Sequence, residues 1–256
     1  MKRYQFQHNM LTFSYLDSDG DKAGKALIAL HAHWMEGMSF ASLAKALSPE
    51  WRVIALDQRG HGHSDHAATY EREDYLGDNE ALFNHLNLKE AALLGNSLGG
   101  VNAYQFAARH PKLVKALIVE DIGAEVSGDL SFTLEWKGTF QTKEALIQRI
   151  GPRLSPYLQD FFQQNGSGWK LAFDPNDMIA SQNLTNGDHW IDWLSGSCPA
   201  LLIRGEDSRV TTAAHLEEMA SRRPNTRFVS LKGGHVVHAD NPAGFEEAVK
   251  TFLHSL

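Results

Sequence analysis

The sequence has few of the features that mark secreted, membrane-bound or nucleic-acid-binding proteins. It contains one cysteine, Cys198, in 256 residues, so no internal disulfide can form and a cytoplasmic location is expected. No apolar run approaches the length of a membrane span, the mean hydropathy is −0.34, and no apolar secretory signal opens the chain. A net charge of −7 and the lack of any lysine/arginine run argue against a nucleic-acid partner.

Strand-like and helix-like segments alternate along the chain, and its 43% hydrophobic residues can bury one large core. Two N-terminal strands, Tyr4–His8 and Leu11–Leu16, should form a hairpin. Six short apolar runs follow, as expected for a parallel sheet covered on both faces: Ala26–His31, Val53–Asp57, Ala91–Gly95, Ala116–Glu120, Ala200–Ile203 and Phe228–Leu231. The predicted helices are Ser39–Leu47, Glu73–Leu86, Leu98–His110, Ala213–Ser221 and Gly244–Leu256. This pattern predicts an α/β fold with a mostly parallel sheet of eight strands.

The alternation stops between residues 123 and 195. Helix-like stretches such as Lys143–Ile150 and Pro156–Gln164 lie there among polar and glycine-rich loops, without a strand-like run. We therefore divide the chain into a core, residues 1–122 and 196–256, and one inserted segment, residues 123–195. Aromatic residues are frequent in the inserted segment, and at helical spacing such residues form core more often than a substrate pocket.

The most informative motif is Gly-x-Ser-x-Gly at residues 95–99. The apolar run Ala91–Gly95 passes through this motif directly into a predicted helix. On so sharp a strand-to-helix turn the serine hydroxyl projects from the chain, and the flanking glycines allow close backbone contact. The N–H of Leu98 then lies at the helix N-terminus, where it can donate to a developing oxyanion. Ser97 is therefore the predicted nucleophile.

A nucleophilic serine requires a base, and the base requires an acid that orients it. After a strand-like run that ends at Leu231, two glycines permit a turn that presents His235 on a short loop. We predict that His235 is the base. His238 is the alternative, but we interpret it as a histidine that lies on the surface or packs the loop.

These motifs, in this order, resemble the α/β-hydrolase family along nearly the whole chain. Residues 25–34 are similar to the family's third strand and its His-Gly-x oxyanion loop, although Ala32 stands where glycine is usual. Residues 57–64 are similar to the Asp-x-Arg-Gly-x-Gly-x-Ser segment after the fourth strand. The resemblance implies that the inserted segment is a helical lid after the sixth strand.

The resemblance also implies particular site residues. The backbone N–H groups of His33 and Leu98 would form the oxyanion hole. Trp34, next to the oxyanion loop, and Trp136, in the inserted segment, are the candidates for substrate binding. No cofactor is implied, and the expected partner is a small-molecule substrate of a monomer or homodimer.

The position of the acid has two candidates. The family most often places it after the seventh strand, three residues beyond a glycine, where this chain has Ser208 and Asp207 comes one residue early. A subset similar to haloalkane dehalogenases and to an amide hydrolase of pyridoxine breakdown has the acid after the sixth strand. That subset implies Asp121, and we prefer Asp121 to Asp207.

Metal binding is an alternative function, because the chain has 13 histidines. The pairs His31/His33 and His61/His63 have the two-residue spacing of ligands on one face of a strand. No third ligand is suitably spaced, and both pairs fall within the hydrolase motifs, so no metal is expected.

The function implied by the resemblance is hydrolysis of a carboxylic ester by Ser97, His235 and Asp121. The same triad serves amide, lactone, thioester and carbon–carbon hydrolysis, so these remain alternatives. A hydrolase-like receptor with little turnover is a further alternative of a different class.

Overall fold

The computed structural model describes residues 1–19 and 25–256, so residues 20–24 of the predicted core lie outside the described chain. Its centre is one sheet of eight strands: β1 (Lys2–His8), β2 (Leu11–Asp17), β3 (Lys25–Leu30), β4 (Trp51–Leu56), β5 (Ala91–Asn96), β6 (Val114–Glu120), β7 (Ala200–Gly205) and β8 (Thr226–Leu231). The spatial order is β1-β2-β4-β3-β5-β6-β7-β8. The β1–β2 and β2–β4 pairs are antiparallel and the other neighbours are parallel. The predicted α/β fold with a mostly parallel sheet is confirmed.

Helices cover both faces of this sheet. Those of the described chain are α1 (Ala41–Leu47), α2 (Arg72–His85), α3 (Leu98–Arg109), α4 (Lys143–Ile150), α5 (Ser155–Leu158), α6 (Pro175–Thr185), α7 (Trp190–Ser195), α8 (Ala213–Arg222), α9 (Val237–Asp240) and α10 (Pro242–His254). Successive strand residues point to opposite faces, so Leu93 packs in the cluster with α2 and α3 and Leu94 packs with α1 and α10. Because both faces are covered, the strands read as continuous apolar runs. Within the described residues, no helix combines the length and apolar character needed to cross a bilayer.

The inserted segment contains α4 to α7, a 3₁₀ helix at Ser131–Trp136 and also strands, which its sequence pattern did not indicate. One ribbon pairs Gln163–Asn165 with Gly168–Lys170, and a second pairs Glu125–Val126 with Gly187–Asp188. The predicted helix Pro156–Gln164 therefore ends early, at Leu158. These strands are two or three residues long and mostly exposed, so they lack the apolar alternation that announces a strand.

Candidate active site

The turn between β5 and α3 places Ser97 at the carboxyl end of the sheet. Ser97 has φ 53° and ψ −116°, and its N–H donates to the carbonyl oxygen of Glu120 at 3.0 Å. A Cβ on Gly95 would lie 2.0 Å from the carbonyl oxygen of Gly99, and a Cβ on Gly99 would lie 2.0 Å from that of Leu30. The two glycines are thus required by close backbone contact, which holds the serine between β3, β5 and β6.

Asp121 and His235 form a hydrogen-bonded pair beside this turn. His235 Nδ1 lies 2.7 Å from Asp121 Oδ2. The Asp121 carboxylate is fully buried and also accepts hydrogen bonds from the Gly205 N–H, at 3.0 Å, and from the Ser208 hydroxyl. Over the described residues, the Ser97 hydroxyl has no hydrogen-bond partner, and it lines the same cavity as His235. Three donors therefore converge on one carboxylate that orients the imidazole.

The alternative acid lies away from this pair. Asp207 is exposed, and its backbone N–H donates to the Gly233 carbonyl oxygen at 2.9 Å. Its neighbour Ser208 is buried and occupies the place where the acid usually stands, from which its hydroxyl reaches Asp121. The geometry thus brings Asp121, and not Asp207, to His235.

A second carboxylate–imidazole pair, Glu120 and His238, lies next to the His235 loop. His238 is buried, and Glu120 accepts hydrogen bonds from its backbone N–H, at 2.9 Å, and contacts its Nδ1 at 2.8 Å. Asn96 donates to the carbonyl oxygens of Glu120 and His235 at 3.2 and 3.1 Å. The Glu120 partner was not predictable, because it lies 118 residues from His238 and no local pattern connects them.

The loop after β3 is held by buried hydrogen bonds. His31 accepts from the Gln58 N–H at Nε2 (3.0 Å), so its Nδ1 carries the proton and donates to the Ala32 carbonyl oxygen at 2.7 Å. Burial lowers the pKa of His31 to about 4, so this imidazole is neutral near pH 7. In the described chain, the left-handed residue of the loop is Trp34, with φ 73°, rather than Ala32. Alanine is therefore accommodated where the family usually has glycine.

Two backbone N–H groups near Ser97, those of Leu98 and His33, have no recorded acceptor within the described residues. The Leu98 N–H is the first of α3 and has no intrahelical acceptor. For the described residues, the structure records no hydrogen-bond acceptor for the N–H of His33 either. Both groups are therefore free to donate to a bound oxyanion.

Three of the four paired histidines, His31, His33 and His61, have their rings close together. The rings of His31 and His61 are 4.9 Å apart, and His33 Nε2 contacts Ser181 Oγ at 2.9 Å. Burial lowers the pKa values of His33 and His61 well below the usual range. His63 is half-exposed. No group of three potential ligands that could hold a metal ion occurs in residues 1–19 and 25–256.

A cavity of about 290 Å³ opens beside Ser97 and His235. The inserted segment supplies much of its wall, including Val126, Leu130 and Tyr157. Trp34 lines this cavity. Trp136, the other candidate for substrate contact, is not among its described lining residues. It is buried, and its ring centroid lies 5.5 Å from that of Trp34, which it supports edge-on.

Comparisons with known proteins identify chains of the same fold. A family model described as the alpha/beta hydrolase fold matches residues 25–242. The chain is 26% identical over 266 residues to the sn-1-specific diacylglycerol lipase ABHD11 of Mus musculus, covering 95% of this chain and 85% of the lipase. It is 26% identical over 246 residues to the 2-(acetamidomethylene)succinate hydrolase of Mesorhizobium japonicum, covering 90% of this chain and 88% of that enzyme. The crystal structure of an E-2-(acetamidomethylene)succinate hydrolase superposes with a TM-score of 0.88 at 24% identity, covering 99% of both chains. This chain therefore belongs to the α/β-hydrolase family.

Proposed function

We propose that this protein is a serine hydrolase that cleaves small carboxylic esters through an acyl-enzyme. The observation that carries the proposal is that Ser97, on its strand-to-helix turn, lines one cavity together with His235, whose Nδ1 lies 2.7 Å from Asp121 Oδ2. A serine, an imidazole and a buried carboxylate in this relation are the parts of a catalytic triad.

In the proposed reaction, His235 Nε2 removes the Ser97 proton as Oγ attacks the carbonyl carbon. The N–H groups of His33 and Leu98 donate to the oxyanion, which is where the transition-state charge develops. His235 then protonates the leaving alcohol, and a water molecule activated by the same imidazole releases the acid. Asp121 keeps the proton on Nδ1 and stabilises the imidazolium.

We further propose that the inserted segment is a lid and that Trp34 contacts the substrate. The support for both is that one cavity is bounded by the inserted segment on one side and by the oxyanion loop on the other. A lid that covers the oxyanion excludes water from it, which strengthens the hydrogen bonds to it. Trp136 acts on substrate indirectly, by fixing the ring of Trp34.

Amide hydrolysis is the second candidate. The acid follows β6, as in the subset that includes an amide hydrolase. Arg209 lies on the cavity wall and, as far as the described residues show, makes no ion pair. A guanidinium in this place could bind a carboxylate of an acidic amide. The Mesorhizobium japonicum relative is named for 2-(acetamidomethylene)succinate, an acetamide that carries two carboxylates.

The test compares parent, Ser97→Ala and Ser127→Ala with p-nitrophenyl acetate and with a panel of acidic N-acyl amides. Ser127 is a second serine on the cavity wall and is the matched control. Ser97→Ala should lower kcat at least about 10³-fold, because the triad acts as a unit, whereas Ser127→Ala should retain it. A parent that releases one product molecule per chain and then stops would be a receptor. Faster turnover of the amides would make amide hydrolysis the function.

A further inference from the structure

Besides the contact of Trp136 with Trp34, the inserted segment reaches the oxyanion loop through a buried serine. Ser181, in α6, is fully buried, and its hydroxyl lies 2.9 Å from His33 Nε2 and 2.7 Å from the hydroxyl of Tyr75. These three side chains come from the inserted segment, the loop after β3 and α2. One hydroxyl therefore joins three separate parts of the chain.

The Tyr75 end of this connection is rigid. The ring is buried, and the guanidinium groups of Arg59 and Arg72 lie over it, 5.6 and 5.1 Å from its centroid. Burial raises the pKa of Tyr75 to about 12 and lowers that of His33 well below its usual range. Both groups are therefore neutral near pH 7, and the hydrogen bonds to Ser181 persist there.

The His33 end of the connection belongs to a residue whose backbone N–H is a proposed donor of the oxyanion hole. The His33 N–H has no acceptor among the described residues. Its direction therefore depends on how the neighbouring backbone and the side chain of His33 are held. The residue before it is alanine, and the residue after it, Trp34, has φ 73°. The imidazole, fixed by Ser181, is the part of His33 that anchors its peptide to a rigid element.

We propose that Ser181 is a positioning residue that sets the oxyanion hole by holding the side chain of His33. This inference rests on the proposed hydrolase function. If Ser181 has this role, α6 must pack against the core before the His33 N–H, the second oxyanion donor, points at the substrate. The inserted segment then contributes to catalysis through a hydrogen bond as well as by covering the cavity.

The test is Ser181→Ala, with Thr185→Val as the matched control. Thr185 is also buried in α6, and its hydroxyl donates to the Ser181 carbonyl oxygen at 2.8 Å and accepts from Arg72, without contact to His33. Each variant removes one buried hydroxyl from the same helix. Any loss that comes only from loosening α6 should therefore be similar in both.

Ser181→Ala should lower kcat by about tenfold or more. The loss should stay below the roughly 10²- to 10³-fold that follows removal of a whole oxyanion donor, because here the donor is displaced and not removed. KM should change less than about twofold, since the oxyanion forms after binding. The inhibition constant of an aryl trifluoromethyl ketone, which binds as a tetrahedral adduct, should rise by the same factor as kcat falls. Thr185→Val should retain both values.

A double-mutant cycle with His33→Ala separates positioning from general damage. If Ser181 acts through His33, adding Ser181→Ala to His33→Ala should cause no further loss of kcat. Equal losses in Ser181→Ala and Thr185→Val, or fully additive losses in the cycle, would overturn the inference and leave the proposed hydrolase function standing. A parent that neither turns over esters or amides nor binds the ketone would remove both proposals together.

Discussion

Asp121→Asn should lower kcat about 10⁴-fold without unfolding the protein. In the parent, every group that contacts this carboxylate can donate to it: the Gly205 N–H, the Ser208 hydroxyl and His235 Nδ1. An asparagine has one acceptor oxygen and one NH₂ group. The NH₂ group must therefore replace one of the two carboxylate oxygens, where it faces a group that donates a hydrogen bond in the parent.

The two orientations of the amide differ in cost. If the NH₂ group replaces Oδ1, it faces the fixed Gly205 N–H at 3.0 Å, which leaves a buried donor unsatisfied at a cost of about 1–3 kcal/mol. If the NH₂ group replaces Oδ2, the Ser208 hydroxyl can rotate to accept, and the amide donates to His235 Nδ1. The second orientation is favoured, and it moves the imidazole proton to Nε2, where it blocks proton transfer from Ser97. A loss of about 10⁴ corresponds to about 5.5 kcal/mol of transition-state stabilisation.

The assay is kcat with p-nitrophenyl acetate for Asp121→Asn and Asp207→Asn, after circular dichroism and Tm show that both are folded. Asp207→Asn should cost less than about tenfold, because an exposed carboxylate contributes little and the Asp207 N–H bond to Gly233 is retained. If Asp207→Asn is the inactive variant and Asp121→Asn is within tenfold of the parent, the acid follows β7. The case for amide substrates that rests on the position of the acid would then fall as well.

Two further predictions concern the groups around the triad. His238→Ala leaves the buried Glu120 carboxylate with one donor fewer, so it should lower the free energy of unfolding in urea by about 3 kcal/mol. We expect kcat to stay within about tenfold of the parent value. An unchanged stability would contradict the pairing of His238 with Glu120. For His31, the folded-state pKa of about 4 lies below the ordinary 6.5, so the unfolded chain binds the proton first and stability falls as pH drops from 6.5 to 4. A difference of this size corresponds to about 3 kcal/mol of stability. His31→Gln should lose less stability over this range than the parent, and equal slopes would refute the assignment. The comparison is made between the two proteins because the pKa of Glu36, raised by burial to about 7, acts in the opposite direction.

The core of the fold could be predicted because its signals are local. The runs around Ala91–Gly95 and Ala116–Glu120 are apolar on both faces, and the observed strands differ from the predicted ones by one or two residues. At β4, the prediction began at Val53 and missed Trp51 and Arg52. Arg52 is buried in the strand because its guanidinium binds Asp17, 35 residues away. A charged residue with a distant partner gives no local strand signal.

The site was partly predictable for the same reason. Ser97 and His235 lie in motifs, and Asp121 followed from the resemblance to a subset of a family. The contacts that support them did not follow, because Glu120–His238 and His33–Ser181 join residues 118 and 148 positions apart. For α6, the signals were present, since Asp174 caps the helix and Pro175 is its first residue, but its apolar periodicity is weak.

Three non-glycine residues of this site share an unfavourable backbone geometry: Trp34, Ser97 and Asp121 have φ values of 73°, 53° and 52°. An L-residue with a Cβ pays roughly 1–3 kcal/mol for such a conformation, and glycine relieves most of it. Ser97 and Asp121, the proposed nucleophile and acid, therefore hold conformations that lower the stability of the fold. At Ser97, whose hydroxyl makes no hydrogen bond within the described residues, replacement by glycine should raise the stability of the fold, whereas at Asp121 the loss of three buried hydrogen bonds offsets the relief. On the proposed function, the side chain at position 97 is therefore retained for its chemistry and not for its contribution to folding.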